Sequence, residues 1–222
     1  MAVVSFSQRL TSNTNFVRLG ADRAQAAFNA ANGIGVIPDA VARHVNPPTW
    51  PSLKKFDNDN LGVAFSPLGG SPDPQYIWDL PTADGQSAAF AIASNPLTIP
   101  RVYSVFLNAF ADNAMKAKIE LFELIDGSFV KAAPQPAGLD EFLLIAGDPN
   151  NPAVGLTIND PPFTFQDNRV YSTIINAPAG TKIVVSFEVA NYLIQPQYAS
   201  NPSSLNNPAG LQFIVDIYGF SS

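Results

Sequence analysis

Two long runs of strand-forming residues sit at the centre of the chain. One covers residues 97–111, the other residues 114–125, and Asp112-Asn113 lies between them. In the second run Met115, Ala117, Ile119 and Leu121 alternate with Lys116, Lys118 and Glu120. A period of two is what a half-buried strand requires, because successive side chains leave a sheet on opposite faces. The first run is apolar on both faces, with Val102, Phe106 and Phe110 on one and Tyr103, Val105 and Leu107 on the other. This predicts a central strand covered on both sides, joined to its neighbour as a hairpin through the short Asp-Asn turn.

The same alternation recurs towards the C-terminus. Ile183, Val185, Phe187 and Val189 face in opposite Lys182, Ser186 and Glu188; Leu211, Phe213, Val215 and Ile217 do so opposite Gln212, Asp216 and Tyr218. Shorter strands are expected at residues 61–66, 76–80, 87–93, 128–132, 142–146, 153–158, 162–165 and 169–176. Asp126-Gly127 and Pro178-Ala179-Gly180 mark tight turns. About ten short strands between turn signals, with no helices alternating among them, predict an all-β antiparallel β-sandwich of jelly-roll-like topology.

The first fifty residues have a different character. Residues 2–7 read as a short strand, with a possible continuation at residues 15–19. Residues 20–32 are alanine-rich, with Asp22 early and Gly33 just beyond, which is the pattern of a short helix with a start and a stop. Ala24, Ala27, Phe28 and Ala31 are expected to share one face of it. Asp39 is placed to cap one further helical turn, and Pro47, Pro48 and Pro51 end regular structure. The expected division is an N-terminal arm at residues 1–50, carrying a strand and a short helix, and a β-sandwich domain at residues 51–222.

Composition narrows the function. Charged residues are 14% of the chain and hydrophobic residues 46%, with twenty prolines. Soluble domains ordinarily carry about 25% charged residues. A sparsely charged surface has little like-charge repulsion to keep copies apart. The net charge of −6, with no basic run longer than Lys54-Lys55, excludes a nucleic-acid packaging role. No cysteine is present, so disulfides and thiolate metal sites are excluded. No apolar run is long enough to span a bilayer, and the N-terminus lacks a secretory pattern. Synthesis in the cytosol, ending in an extracellular or particle-surface assembly, is the corresponding expectation for localisation.

Candidate chemistry is thin. His44 is the only histidine and lies among prolines, so neither a catalytic triad nor a zinc site can be assembled around it with any economy. Asp57 and Asp59, in Asp57-Asn58-Asp59-Asn60, are the most calcium-like residues, but the twelfth position of that loop is Leu68 where an EF-hand needs glutamate. A second oxygen-rich loop spans residues 147–151. The carboxylates Glu120, Glu123, Asp140, Glu141, Glu188 and Asp216 form no recognisable pair. No cofactor is implied, and no catalytic role is expected. Trp50, Tyr76, Trp78, Tyr192 and Tyr198 are aromatic residues in or near loops, placed to stack on sugars or to anchor subunit contacts.

The leading expectation is therefore a self-assembling structural subunit of a homopolymer, whether filament, appendage, sheath or shell. Its partners would be other copies of itself, joined by exchange of the N-terminal strand. Val3, Val4, Phe6, Phe16 and Phe28 are the expected interface residues. The alternative is a glycan-binding β-sandwich, with or without calcium.

Overall fold

The computed structural model describes residues 3–45, 49–53, 73–83, 85–136, 141–145, 168–191 and 207–221. The strands expected at residues 61–66, 153–158 and 162–165 lie outside the described residues, as do both oxygen-rich loops, Tyr192 and Tyr198. The elements, in order, are β1 (Val3–Thr11), β2 (Arg18–Gly20), α1 (Arg23–Asn32), β3 (Asp39–Val41), β4 (Tyr76–Trp78), β5 (Ser87–Ala93) and β6 (Arg101–Asp112). They continue as β7 (Ala114–Ile125), β8 (Ser128–Lys131), β9 (Glu141–Ile145), β10 (Arg169–Ala177), β11 (Lys182–Ala190) and β12 (Gly210–Ser221).

Two antiparallel sheets form a jelly-roll-like sandwich. The first runs β10-β6-β12-β4-β3, with β1 alongside β12 on the same side as β4. The second runs β2-β5-β11-β7-β8, with β9 sharing the β7 edge with β8. The inward faces meet in one core. Val105, Leu107, Val215 and Phe213 from the first sheet lie against Ile119, Val185, Phe187 and Phe90 from the second. The Phe187 and Phe213 rings stack at 4.5 Å. Burying each such side chain stabilises the fold by about 1.5–3 kcal/mol.

The expected central hairpin is not one. β6 pairs with β10 and β12, and β7 with β11, β8 and β9, so the chain changes sheet at Asn113. Asp112 stays opposite Gly210 in the first sheet, while the Asn113 N–H reaches the Ala190 carbonyl in the second at 3.0 Å. The reason is burial. Side by side, the apolar faces of β6 and β7 would form one layer with nothing opposite; folded over, they cover each other. The true hairpin follows at Asp126-Gly127, where both residues have positive φ, as a two-residue turn between twisted strands requires.

Residues 3–41 contribute strands and the helix to the sandwich itself. β1 pairs with β12 from Val3 opposite Ser221 to Thr11 opposite Ile214, with a bulge after Phe6, and Leu10 enters the core. β2 extends the second sheet beside β5, and β3 extends the first beside β4. The strand expected to leave for a neighbouring copy therefore lies in its own sheet, and the N-terminal region does not stand off as an arm. The helical turn expected from Asp39 is the strand β3, because Ala40 and Val41 complete the hydrogen bonds of β4.

α1 packs on the outer face of the second sheet. Asp22 caps it by accepting the Gln25 N–H at 2.8 Å, and Gly33 ends it with φ +67°. The buried face is Ala26, Ala27, Ala30 and Ala31, lying on Ala89, Ala91, Val184 and Phe122. Of the four residues expected to share a face, Ala27 and Ala31 are buried while Ala24 and Phe28 face solvent. Alanine against alanine brings the helix close enough that a Cβ on Gly20 would strike the Ala26 backbone. Lys182 Nζ donates to the Ala31 carbonyl at 2.6 Å, placing a cation at the negative end of the helix. Among the described residues no helix is long and apolar enough to cross a membrane.

Candidate binding face

The outer face of the first sheet is covered at one end and open at the other. At the covered end, Trp50, Tyr76 and Phe110 form a separate apolar cluster outside the core. The Trp50 ring lies over Gly210, where a Cβ would approach it to 2.6 Å, so only glycine admits it. Its indole N–H donates to Asp112 Oδ2 at 2.7 Å. Arg43 donates to the Trp50 carbonyl, the Leu53 N–H donates to Gln212 Oε1 at 2.9 Å, and the Tyr76 hydroxyl donates to the Pro51 carbonyl. Burial pushes the pKa of Asp112 up to about 7, against the opposing pull of the Trp50 hydrogen bond.

At the open end the strand register lays side chains out in rows. Val4 stands opposite Phe220, and Asn176 opposite Val102. Next come Phe6 opposite Tyr218, Tyr218 opposite Ser104, and Ser104 opposite Ile174. Then Arg9, Asp216, Phe106 and Ser172 follow one another across β1, β12, β6 and β10. Val170, opposite Asn108, is 68% exposed, Ile174 is 61% exposed, and Phe106, in a central strand, is 43% exposed. A buried strand leaves such residues at a few per cent, so an open apolar patch of this kind marks a surface that contacts something.

A groove of about 550 Å³ is lined here by Val4, Ser104, Phe106, Asp216, Tyr218 and Phe220. The Tyr218 ring meets Phe6 at 5.7 Å and Phe106 at 5.8 Å, both edge-to-face. Arg9 closes on Asp216 with two bonds, Nε to Oδ1 at 2.7 Å and Nη2 to Oδ2 at 2.8 Å. Burial, and then the Asp216 charge, raise the Tyr218 pKa, so its hydroxyl keeps its proton at neutral pH. The face thus alternates rings and aliphatic groups with hydroxyls and amides. Among the described residues its charged side chains, Arg9 and Asp216, neutralise each other.

The structure sorts the residues singled out from sequence. Val4 and Phe6 lie on the open face, in β1, whose backbone includes Val3. Phe16 is exposed in the turn before β2, and Phe28 is exposed on α1 over the other sheet, so the five expected interface residues do not form one surface. Three of the supposed loop aromatics are buried: Trp50 and Tyr76 in the covered cluster and Trp78 in the core. Glu120, placed by the alternation on the polar face of its strand, is buried and ion-paired with Lys131. Asp57 and Asp59 lie outside the described residues, among which no group of three His, Cys, Asp or Glu could hold a metal ion. His44 borders a hollow of about 400 Å³ beside Arg43 and Trp50, and its pKa is lowered by burial. The residues missed from sequence are Phe106, Tyr218, Phe220 and Ile174. The available signal was the apolar second face of β6.

No family model matches the chain, and no curated protein matches it. Solved structures that share part of the sandwich include a family 4 carbohydrate-binding module, at 13% identity over 66% of this chain and 69% of that one, with a TM-score of 0.32. The N-terminal cellulose-binding domain of Cellulomonas fimi β-1,4-glucanase C is similar at 10% identity over 67% of this chain and 77% of that one, with a TM-score of 0.31. The enzymatically active domain of tailspike protein 4 of bacteriophage CBA120 overlaps 99% of this chain at 11% identity and a TM-score of 0.35, but this chain spans only 19% of it. At these scores the functional reading rests on the side chains of the open face and not on the likenesses.

Proposed function

We propose that the protein is a non-catalytic carbohydrate-binding module whose working surface is the open end of the first sheet. The observation that carries this reading is the layout of the face: the exposed Phe106 ring, the half-buried rings of Phe6, Tyr218 and Phe220 and exposed aliphatic groups, interleaved with Ser104, Ser172, Asn108, Asn176 and the Tyr218 hydroxyl, without net charge. A pyranose has an apolar face of C–H groups and a rim of hydroxyls. It needs apolar surface below and hydrogen-bonding groups beside it, and gains nothing from an unpaired charge. Sites for small polar ligands are largely apolar, with a few placed polar groups. Glycoside hydrolysis needs two carboxylates flanking the bond. Asp216 is the carboxylate of these rows, and Arg9 occupies both its oxygens.

The test is depletion of the protein from solution by a panel of neutral polysaccharides, with Tyr218→Ala and Phe106→Ala as variants. Each ring is worth about 0.5–1.5 kcal/mol beyond its area, so each variant should weaken binding roughly tenfold or more. EDTA should leave binding unchanged, because the carboxylate of this face, Asp216, is held by Arg9 and has no second acidic ligand beside it among the described residues; chelator-sensitive binding would move the site to the Asp57–Asp59 loop. A second reading, self-association through the same face, is favoured by the exposure of Val4, Val102, Val170 and Ile174. A wild-type protein that binds no polysaccharide but dimerises with concentration, and a Phe106→Asp variant that stays monomeric, would establish that reading instead.

A further inference from the structure

We propose that the binding face continues past β10 into a second groove, so that together they hold an extended stretch of neutral polysaccharide and not a short sugar. This rests on the carbohydrate reading above and names the ligand class of the same site.

The second groove, of about 630 Å³, lies at the end of the sandwich. One wall is Ala132, Ala133, Pro134, Gln135 and Pro136 after β8; the other is Pro178 and Thr181 at the β10–β11 turn. Its remaining lining includes Val102, Ile174 and Asn176, which belong to the rows of the open face. Ile174 stands opposite Ser104, which lines the first groove, so the two hollows abut across β6 and β10. From β1 to β10 the first part crosses three interstrand steps, about 14 Å, the reach of roughly three pyranose units. The second groove is of similar volume and shares Ile174 and Asn176 of β10 with that span, so the combined path takes more than three and at most about six units by the same scale.

Both walls are fixed before any ligand arrives. Gln135 Oε1 accepts the Leu121 N–H at 2.9 Å, while its Nε2 donates to the carbonyls of Leu121 and Ala132 at 2.9 and 2.7 Å. Opposite, Thr181 Oγ1 donates to the Pro178 carbonyl at 2.7 Å, and the Gly180 N–H donates to the Leu97 carbonyl at 2.7 Å. Pro134, Pro136 and Pro178 remove further backbone freedom. A groove whose walls are already ordered binds without the entropic cost of arranging them. Its lining carries one charged side chain, Glu123, on a chain of net charge −6, which disfavours polymers of uronic acids.

The experiment is calorimetric titration of the full chain with β-1,4- and β-1,3-linked glucose oligomers of increasing length, from two to about eight units, beside an oligogalacturonate series. The probe variant is Ala133→Trp. Ala133 is exposed and lies outside the rows of the open face, so the indole enters the second groove alone. Affinity for a neutral series should rise tenfold or more between about three and six units and then level off. In Ala133→Trp it should level off at about three, with trimer binding unchanged, and the acidic series should bind least. A wild-type plateau at the trimer with an inert Ala133→Trp overturns the continuous path and leaves the open face standing. Failure of every oligomer to bind the wild type overturns both readings.

Discussion

Replacing Asp112 by asparagine tests how the covered end of the face is held. The carboxyl is 3% exposed and takes the Trp50 indole N–H at 2.7 Å. Burial raises its pKa from 3.8 to about 7. In the unfolded chain the group titrates near its ordinary value, so between pH ~4 and pH ~7 the folded state holds a proton that the unfolded state has lost. The stability linked to Asp112 is therefore full below pH ~4, declines as the pH rises through this window, and is gone above pH ~7. At 1.36 kcal/mol per pKa unit, a rise of about three units amounts to about 4 kcal/mol. In a chain of this size that is on the order of 10 °C in Tm.

Asparagine keeps an acceptor for Trp50 and never ionises, so Asp112→Asn lacks the decline. Its amide N–H₂ replaces the acid O–H in a closed space, a cost independent of pH. The assay is urea unfolding of both proteins at a series of pH values from about 4 to 8, reading the difference between them. Relative to its value at pH ~4, that difference should move by about 4 kcal/mol in favour of the variant by pH ~8. Other titrating groups cancel in the difference. They include His44, whose ring centroid lies 6.0 Å from that of Trp50 and whose pKa is lowered by burial. Parallel stability curves would show that Asp112 is not a desolvated, uncompensated carboxyl and would refute the reasoning.

Two further perturbations test the frame around the site. Gly210→Ala puts a methyl 2.6 Å from the Trp50 ring and should destabilise by about 1–3 kcal/mol, read by urea unfolding, with quenching of Trp50 fluorescence altered in the folded state. Deleting residues 1–11 removes β1 from beside β12 and Leu10 from the core. The loss of Leu10 alone is worth about 2–5 kcal/mol, so the truncated chain should unfold at markedly lower denaturant or fail to fold; a truncated chain as stable as the whole one would return β1 to the role of a detachable arm.

The strands with one face in the core are readable from local pattern. In β11 and β12 every second residue enters the main core, so the period of two survives in the sequence, although Val184, Ser186, Gln212 and Ile214 on the opposite faces are buried as well. Pairing is not local, and here the reading goes astray. Nothing in Asp112-Asn113 says that β7 will join β11 and not β6, because the deciding contacts lie some seventy residues away. The helix is readable but its rotation is not. With alanine at five of ten positions the hydrophobic contrast is too weak to choose a face, and the choice falls to the close approach at Gly20 and the Lys182 bond to the helix end. Trp50, Tyr76 and Trp78 mislead for another reason. Prolines beside them suggest exposed loops, yet the indole and phenol groups find partners in Asp112, Pro51 and Gln86 that make burial affordable.

The open face is the case where the pattern was correct and its interpretation was not. β6 is apolar on both sides, which a strand needs only when both sides are covered. The structure covers one side with the core and, at Phe110, part of the other with Trp50. Phe106 and Val102 retain the composition of a buried face without the burial. Leaving them exposed forfeits stabilisation of about 25 cal/mol for each Å² of apolar area. A fold that extends a strap over Phe110 and stops short of Phe106 carries that deficit along four adjacent strands, from Val4 and Phe6 to Ile174 and Val170. The deficit is recovered only when something else covers the rows, and the hydroxyl and amide groups set between them require that the cover be polar as well as apolar. A sugar chain meets both requirements at once, whereas a second aliphatic surface would leave Ser104, Ser172 and the Tyr218 hydroxyl to be satisfied separately.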